Sequence, residues 1–221
     1  MNTVPILYEN DEIYVINKPA GLAVQGGQGV AHSLDVDFAK QVGQKVYLVH
    51  RLDKDTSGLM VVAKSSFAAG MWTKLISSKS VKKEYIAICV GALKEKSGVI
   101  NETVIQHGEK KSAVTHFNVE KQWSVDIYNE PGVTESGVAQ TITLSQIRLK
   151  LETGRMHQIR IHLAKQGCPI AGDDQHGNFK INKLLKKHLK IKRLQLSAVR
   201  LTVPGLGEKG KDKVFEIPFE G

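Results

Sequence analysis

A short polar segment between two apolar runs places the strongest constraint on how this chain can fold. Residues 45–49 and 59–63 are apolar and rich in β-formers, and the segment between them carries a cation, a carboxylate and two hydroxyls within seven residues. Apolar runs that flank turn residues are typical of two strands joined by a loop. Because the core holds such a loop at both ends while a ligand can still reach it, the loop is a suitable place for a catalytic carboxylate.

Three interpretations of this loop compete. The simplest is a structural Asx-turn at Asp53 or Asp55. The second is a calcium loop, because residues 53–58 fit the opening of an EF-hand. Its twelfth position is Lys64 in place of the bidentate Glu, however, and the residues that follow are typical of a strand. The third is a catalytic loop.

Charge is the feature of composition that bears most on binding partners. The 221 residues include 31 Lys or Arg and 22 Asp or Glu, a net charge of +9. This surplus predicts a polyanionic partner, and composition alone does not separate RNA, DNA and anionic lipid. An aromatic content of 6% argues against a general stacking platform for single strands.

Several classes of protein are disfavoured. The sequence has no apolar run long enough for a transmembrane helix, and its first residues lack the basic and apolar parts of a secretion signal. Cys89 and Cys168 form no CxxC pair, so we expect reduced thiols in a cytoplasmic protein.

A second polar pattern lies in residues 151–173. Thr153 is predicted to cap a helix that runs to about Gln166, with His157 and Arg160 on one side of it. His157 and His162 lack the HExxH spacing and have no Cys or carboxylate cluster beside them, so no metal is expected.

The other elements follow from periodicity and turn residues. The basic segment 180–193 is predicted to be an amphipathic helix, for which a phosphate-contacting flank is preferred over a membrane-surface helix or a solvated face. A shift of apolar register in strand 141–151 predicts a β-bulge, and 129–137 is expected to be a loop. Residues 205–210 match GxGxxG but precede a strand, so they are not a dinucleotide site. Further strands are predicted at 6–8, 13–17, 84–90, 98–105, 113–119, 194–203 and 214–219, and further helices at 33–41 and from 65 or 66 onwards.

The polar segments carry a family resemblance. His50-Arg51-Leu52-Asp53-x-x-Thr56-Ser57-Gly58 resembles the catalytic signature of the RluA-type family of ribosomal large-subunit pseudouridine synthases. Residues 17–22, 83–85 and 153–173 are similar to three further motifs of that family, in the same order. Met156 stands where relatives usually have Thr or Ser, and Cys168 where they usually have His.

This resemblance implies a fold and an activity. The expected fold is α+β (mixed α/β), with a long, mainly antiparallel sheet flanked by helices and two halves around a central cleft. Residues 1–221 would form a single pseudouridine synthase catalytic domain without a separate, S4-type RNA-binding domain. The expected reaction is the isomerisation of uridine in structured RNA (ribosomal or transfer RNA) to pseudouridine, by a cytoplasmic monomer that needs no cofactor or metal.

The resemblance also implies roles for residues. Asp53 would be the nucleophile or base, Tyr85 would stack on the uracil, and Arg160 would form a salt bridge that keeps Asp53 ionised. The expected substrate contacts are Lys18, His50, Arg51, Thr56, Arg155, His157 and Ile159. The alternative from another class is an RNA-binding protein or RNA chaperone that has the fold without the catalysis.

Overall fold

The computed structural model describes residues 3–27, 31–106, 108–127 and 140–219. The described chain divides into two compact units. The first contains residues up to Tyr85 together with the segment from Ser197 onwards, and the second contains Ile86–Leu196. The first unit is therefore built from two separate stretches of sequence.

The first unit is built on a mixed sheet. Strands β1 (Ile6–Glu9), β2 (Ile13–Lys18) and β4 (Ser57–Ala63) pair antiparallel in that order, and the short β3 (Tyr47–Leu48) also pairs with β4. On its other edge β4 runs parallel to β9 (Leu196–Val203), which pairs antiparallel with β10 (Lys213–Glu216). The sequence predicted each of these strands, but β3 is shorter than the expected run 45–49.

Two helices and a common core complete the first unit. Helix α1 (Leu34–Val42) follows Ser33, and α2 (Ser66–Ser77) is capped by Ser65, whose side chain accepts a hydrogen bond from the amide of Ala68. Alternate residues of β2 and β4 pack with Trp72 of α2 and Leu201 of β9 in one buried cluster. Because β4 is buried along nearly its whole length and pairs with the buried β2, the loop before β4 ends at a fixed strand.

The second unit is dominated by long antiparallel strands. Strand β5 (Lys82–Val90) continues into this unit, which also contains β6 (Ser97–Gln106), β7 (Glu109–Ile127) and β8 (Gln140–Leu151). Strand β7 pairs antiparallel with both β6 and β8. The register of β7 with β8 shifts between Val119 and Lys121, so the extra residue of the bulge lies on β7, whereas the apolar pattern had predicted a bulge in β8.

The second unit also contains α3 (Gln158–Lys165) and α4 (Phe179–His188). The prediction that Thr153 caps α3 is wrong, because the helix begins at Gln158 and its first cap position, His157, is left-handed with φ of 53°. Helix α4 ends at His188, earlier than predicted, and Lys190 after it is left-handed with φ of 59°.

The mixture of strands and helices confirms the predicted α+β class. No helix among the described residues is long and apolar enough to cross a membrane. The predicted loop at 129–137 lies outside the described residues.

Candidate active site

Asp53 lies in a tight turn between β3 and β4. The amide of Thr56 donates to the carbonyl of Asp53 at 3.2 Å, which closes the turn. The carbonyl of Lys54 accepts from the amide of Gly21 at 2.9 Å and from the Lys18 ammonium at 3.0 Å. These bonds tie the turn to the segment after β2, so the half-buried Asp53 is held from both sides.

Lys18 is the residue that makes this connection. Its side chain is fully buried, and its ammonium donates to the carbonyls of Pro19 at 2.8 Å, Leu22 at 2.9 Å and Lys54 at 3.0 Å. Burial lowers the pKa of Lys18 to about 8, against the opposing effect of the charges of Asp55 and Asp53. The sequence predicted a substrate contact for Lys18, whereas the geometry favours a positioning role within the loop.

Tyr85, on β5, is near enough to sense the charge of Asp53. Burial raises the pKa of its phenol, and the Asp53 charge raises it further. The phenol therefore stays protonated at neutral pH, and the buried ring can serve as a neutral wall or hydrogen-bonding group. Lys83, two residues earlier, is half-buried, and burial lowers its pKa to about 8.

His50 and Thr56 each have a buried polar side-chain atom. The amide of Val61 donates to Nε2 of His50 at 3.0 Å, so the proton of the neutral ring lies on Nδ1. Burial and then the charge of Lys83 hold the pKa of His50 well below its usual value. Among the described residues, neither His50 Nδ1 nor Thr56 Oγ1 has a hydrogen-bond partner. Buried orphan groups of this kind cost about 1–3 kcal/mol each, which a substrate group could recover.

In the second unit, Arg160 forms a buried ion pair with Asp173. Its Nε and one terminal nitrogen donate to the two carboxylate oxygens of Asp173, both at 2.8 Å. Burial alone would raise the pKa of Asp173, but the Arg160 guanidinium and the amides of His176 and Gln175 outweigh burial, and the net pKa is lowered. Arg160 is thus held rigidly at a fixed position in this unit.

The side-chain hydrogen bonds of Gln158 account for the non-helical conformation of the loop before α3. Its amide oxygen accepts from the Thr153 hydroxyl at 2.7 Å and from the amide of Arg155 at 3.1 Å. Its amide nitrogen donates to the Val114 carbonyl and the Thr115 hydroxyl, both at 3.0 Å. The Thr153 hydroxyl is committed to Gln158 and to the amide of Val114, so it does not cap the helix.

The remaining predicted residues occupy different settings. Arg51 and Arg155 are exposed, and Arg155 donates to the carbonyl of Ser112 at 3.2 Å. Ile159 is buried. His157 lies 3.0 Å from His176, measured between Nδ1 and Nε2. No group of three or more His, Cys, Asp or Glu side chains in the described part of the chain could hold a metal ion.

Sequence reasoning assigned no role to Asp173, His176 or Lys83. Asp173 is the last residue of the motif that contains Arg160. This acidic residue was the sequence signal for the ion pair between Asp173 and Arg160. No sequence signal pointed to His176. Of the two departures from the family pattern, Met156 is exposed and Cys168 is a buried free thiol. A hydrogen bond with the Cys89 thiol lowers the pKa of Cys168.

Known proteins resemble this chain over most of its length. A family model described as RNA pseudouridylate synthase matches residues 12–165. Ribosomal large subunit pseudouridine synthase C of Rickettsia felis is 36% identical over 183 residues, which are 80% of this chain and 57% of that protein. Ribosomal large subunit pseudouridine synthase D of Nitrosomonas europaea is 37% identical over 179 residues, 78% of this chain and 49% of that protein. The chain therefore spans only about half the length of these relatives.

Two solved structures share the fold of this chain. Human RNA pseudouridylate synthase domain containing 4 superposes with a TM-score of 0.71 at 25% identity, covering 98% of this chain and 88% of that one. Human RNA pseudouridylate synthase domain containing 1 superposes with a TM-score of 0.72 at 22% identity, covering 98% and 83%.

Proposed function

The chain belongs to the RNA pseudouridylate synthase family, and from this we propose that it converts uridine in RNA to pseudouridine. In this reaction the C1′–N1 bond breaks, the uracil turns, C5 bonds to C1′, and the C5 proton is lost while N1 gains one. The product is an isomer of the substrate, so no cofactor or energy source is consumed. The target base must leave its stack to reach the protein.

Asp53 is the proposed nucleophile or base, and its placement is the observation that carries the proposal. A carboxylate can attack the sugar, attack the ring or remove a proton, and each of these roles requires that it be held in place and reachable. Asp53 meets both conditions, because its turn is fixed by the Lys18 ammonium and the Gly21 amide while its side chain is only half-buried.

Neighbouring groups of the first unit suit a flipped uracil. The Tyr85 ring is proposed to stack on the uracil, and its protonated phenol does not add a second negative charge beside Asp53. The orphan Thr56 hydroxyl and the His50 Nδ1–H are proposed to bond to the nucleoside. That Arg160 acts together with Asp53 stays a prediction from the family pattern.

The proposed substrate is structured RNA, and large-subunit ribosomal RNA is the first candidate because the names of the relatives specify that RNA. A net charge of +9 favours binding to phosphates. Transfer RNA as a target, the monomeric state and the cytoplasmic location stay predictions. Comparison of pseudouridine maps of cellular RNA with and without the gene identifies the target.

The test is release of tritium from RNA that contains uridine labelled at C5. Asp53→Asn should lower the rate of release at least ~10⁴-fold, because the amide is neither nucleophile nor base. Asp55→Asn removes the same charge two residues along the loop and should keep more than about a tenth of the rate. Equal release by wild type and Asp53→Asn would favour the RNA-binding or chaperone alternative, and equal loss by both variants would assign the effect to loop charge.

A further inference from the structure

We propose that the exposed face of α4 binds a strand of the substrate RNA, with Phe179 stacking on a base and Lys183 and Lys186 contacting phosphates. This inference rests on the proposed function, because it names the surface of the second unit that would hold the substrate. It adds a defined binding surface to a protein whose chemistry is assigned to other residues.

The helix presents the three side chains on one face. A helix turns by 100° per residue, so positions i, i+4 and i+7 lie within about 60° of one another. Phe179, Lys183 and Lys186 have this spacing and are all exposed, whereas Leu185 on the opposite side is fully buried. The rise along the axis places the two lysines about 4.5 Å apart and the ring about 6 Å before the first of them.

Phe179 is 83% exposed at the start of α4. The helix start is held by the cap of Asn178, whose side chain accepts from the amide of Ile181 at 3.1 Å. The Phe179 side chain is therefore exposed to solvent at a fixed position of the backbone. A nucleobase is flat and apolar on its faces, so it could stack on the exposed ring. Stacking of a base on an aromatic side chain contributes to binding with little dependence on sequence.

The positive charge of residues 175–193 favours a polyanion as the binding partner of α4. Residues 175–193 contain seven Lys or Arg and no Asp or Glu, so the rest of the chain has a net charge of only +2. All seven cations are exposed. They continue past the helix to a recess of about 320 Å³ lined by Leu189, Lys190, Ile191, Lys192, Arg193 and Gln195.

Helix α4 is also tied to the ion pair of the second unit. The side chain of Asn182 accepts from the amide of Gly172 at 3.0 Å and donates to the carbonyl of Asp173 at 2.7 Å. Asp173 in turn holds Arg160. Asn182 lies one helical turn from Phe179, so RNA on this face would lie close to Arg160, the catalytic residue expected in this unit.

Two features favour RNA over a membrane surface. An amphipathic membrane helix places its apolar side on the lipid, but in α4 that side faces the protein through the buried Leu185. The outward face instead has one aromatic ring among lysines. That combination is typical of contacts to a single nucleic-acid strand.

The experiment measures binding of a fluorescein-labelled oligouridine by anisotropy at several salt concentrations. Phe179→Ala should weaken binding roughly 5- to 150-fold without changing the salt slope, and Phe179→Trp should restore it. The double variant Lys183→Gln/Lys186→Gln should reduce the salt slope by about 1.4, because each phosphate contact to a single strand contributes about 0.7.

Matched controls separate this surface from general effects. Phe67→Ala removes another exposed ring, in α2, and Lys94→Gln/Lys96→Gln removes two other exposed lysines. Both controls should bind as wild type does. Equal weakening by the controls, or unchanged binding by the α4 variants, would overturn the proposal. So would loss of binding to phosphatidylglycerol vesicles in Phe179→Ala while oligouridine binding is unchanged.

Tritium release distinguishes failure of this inference from failure of the proposed function. If wild type releases tritium and the α4 variants bind oligouridine normally, only the surface assignment is refuted. If wild type releases no tritium, the proposed activity is refuted, and the inference, which rests on it, is refuted with it.

Discussion

Replacement of Lys18 by Met tests whether the buried ammonium holds the Asp53 turn. Methionine fills a similar volume but cannot donate hydrogen bonds, so the carbonyls of Pro19, Leu22 and Lys54 all lose a donor. The Lys54 carbonyl keeps the amide of Gly21. The substitution therefore loosens the connection between the turn and the segment after β2 and leaves the covalent chemistry of Asp53 intact.

The expected change in the free energy of unfolding on Lys18→Met is the difference between two opposing contributions. Three hydrogen bonds from a charged donor contribute roughly 6 kcal/mol in total. The buried charge costs about 3 kcal/mol, since its pKa is lowered from 10.5 to about 8. The expected loss in the free energy of unfolding is therefore about 3 kcal/mol near neutral pH.

The pH dependence has a definite sign. Because the folded-state pKa of Lys18 is lower than the unfolded value, the unfolded chain binds more protons between pH 8 and 10.5, and the wild type gains stability as pH rises through that range. Lys18→Met has no such group. The difference in stability between the two proteins should therefore widen above pH 8.

Urea unfolding at several pH values and tritium release measure these effects. Lys54→Met is the control, since it removes an exposed lysine from the same turn but keeps its carbonyl, and it should change the unfolding free energy by less than about 0.5 kcal/mol. Equal stability and equal turnover in Lys18→Met and Lys54→Met would refute the positioning role of Lys18.

Two further predictions concern Gly58 and Asp173. Gly58 has φ of +113°, and a Cβ there would lie 2.3 Å from the Ala198 carbonyl oxygen. Gly58→Ala should therefore lower the free energy of unfolding, measured with urea, by more than about 3 kcal/mol. A Cβ at Gly70, in α2, would have no heavy atom of the described residues within 4 Å. Gly70→Ala should therefore raise the free energy of unfolding by about 0.5–1 kcal/mol, and equal effects of the two substitutions would refute the close-approach argument. Because the pKa of Asp173 is lowered, its contribution is complete above the unfolded carboxyl pKa of about 3.9 and is lost as pH falls further. As pH is lowered below about 4, the urea midpoint should thus fall more steeply in wild type than in Asp173→Asn, and parallel curves would contradict this.

Local signals in the sequence predicted most of the strands and helices. Short apolar runs on either side of turn residues mark β1 and β2, and Ser65 before an apolar helical repeat marks α2, because these patterns depend only on neighbouring residues. The Asp53 loop was predicted for the same reason. Its placement between two strands follows from the apolar runs on either side.

Contacts between distant residues could not be predicted. Thr153 has the chemistry of a helix cap, but the Gln158 amide forms four bonds to distant or neighbouring groups and takes the Thr153 hydroxyl. Lys18 was predicted to contact the substrate, and nothing in its local sequence indicated the three carbonyls that accept hydrogen bonds from its ammonium. In both cases tertiary hydrogen bonds override a local preference.

The parallel pairing of β4 with β9 has a consequence for biosynthesis. Ser57 is aligned with Ser197, so the strand that begins right after the Asp53 turn lacks one neighbour until most of the chain has left the ribosome. Pairing of two strands so far apart in sequence has an entropic cost of loop closure, and such pairing forms slowly. The pairing of β4 with β9, next to the Asp53 turn, therefore forms late in folding. A nascent chain that stops before β9 would expose the unpaired edge of β4, which favours aggregation.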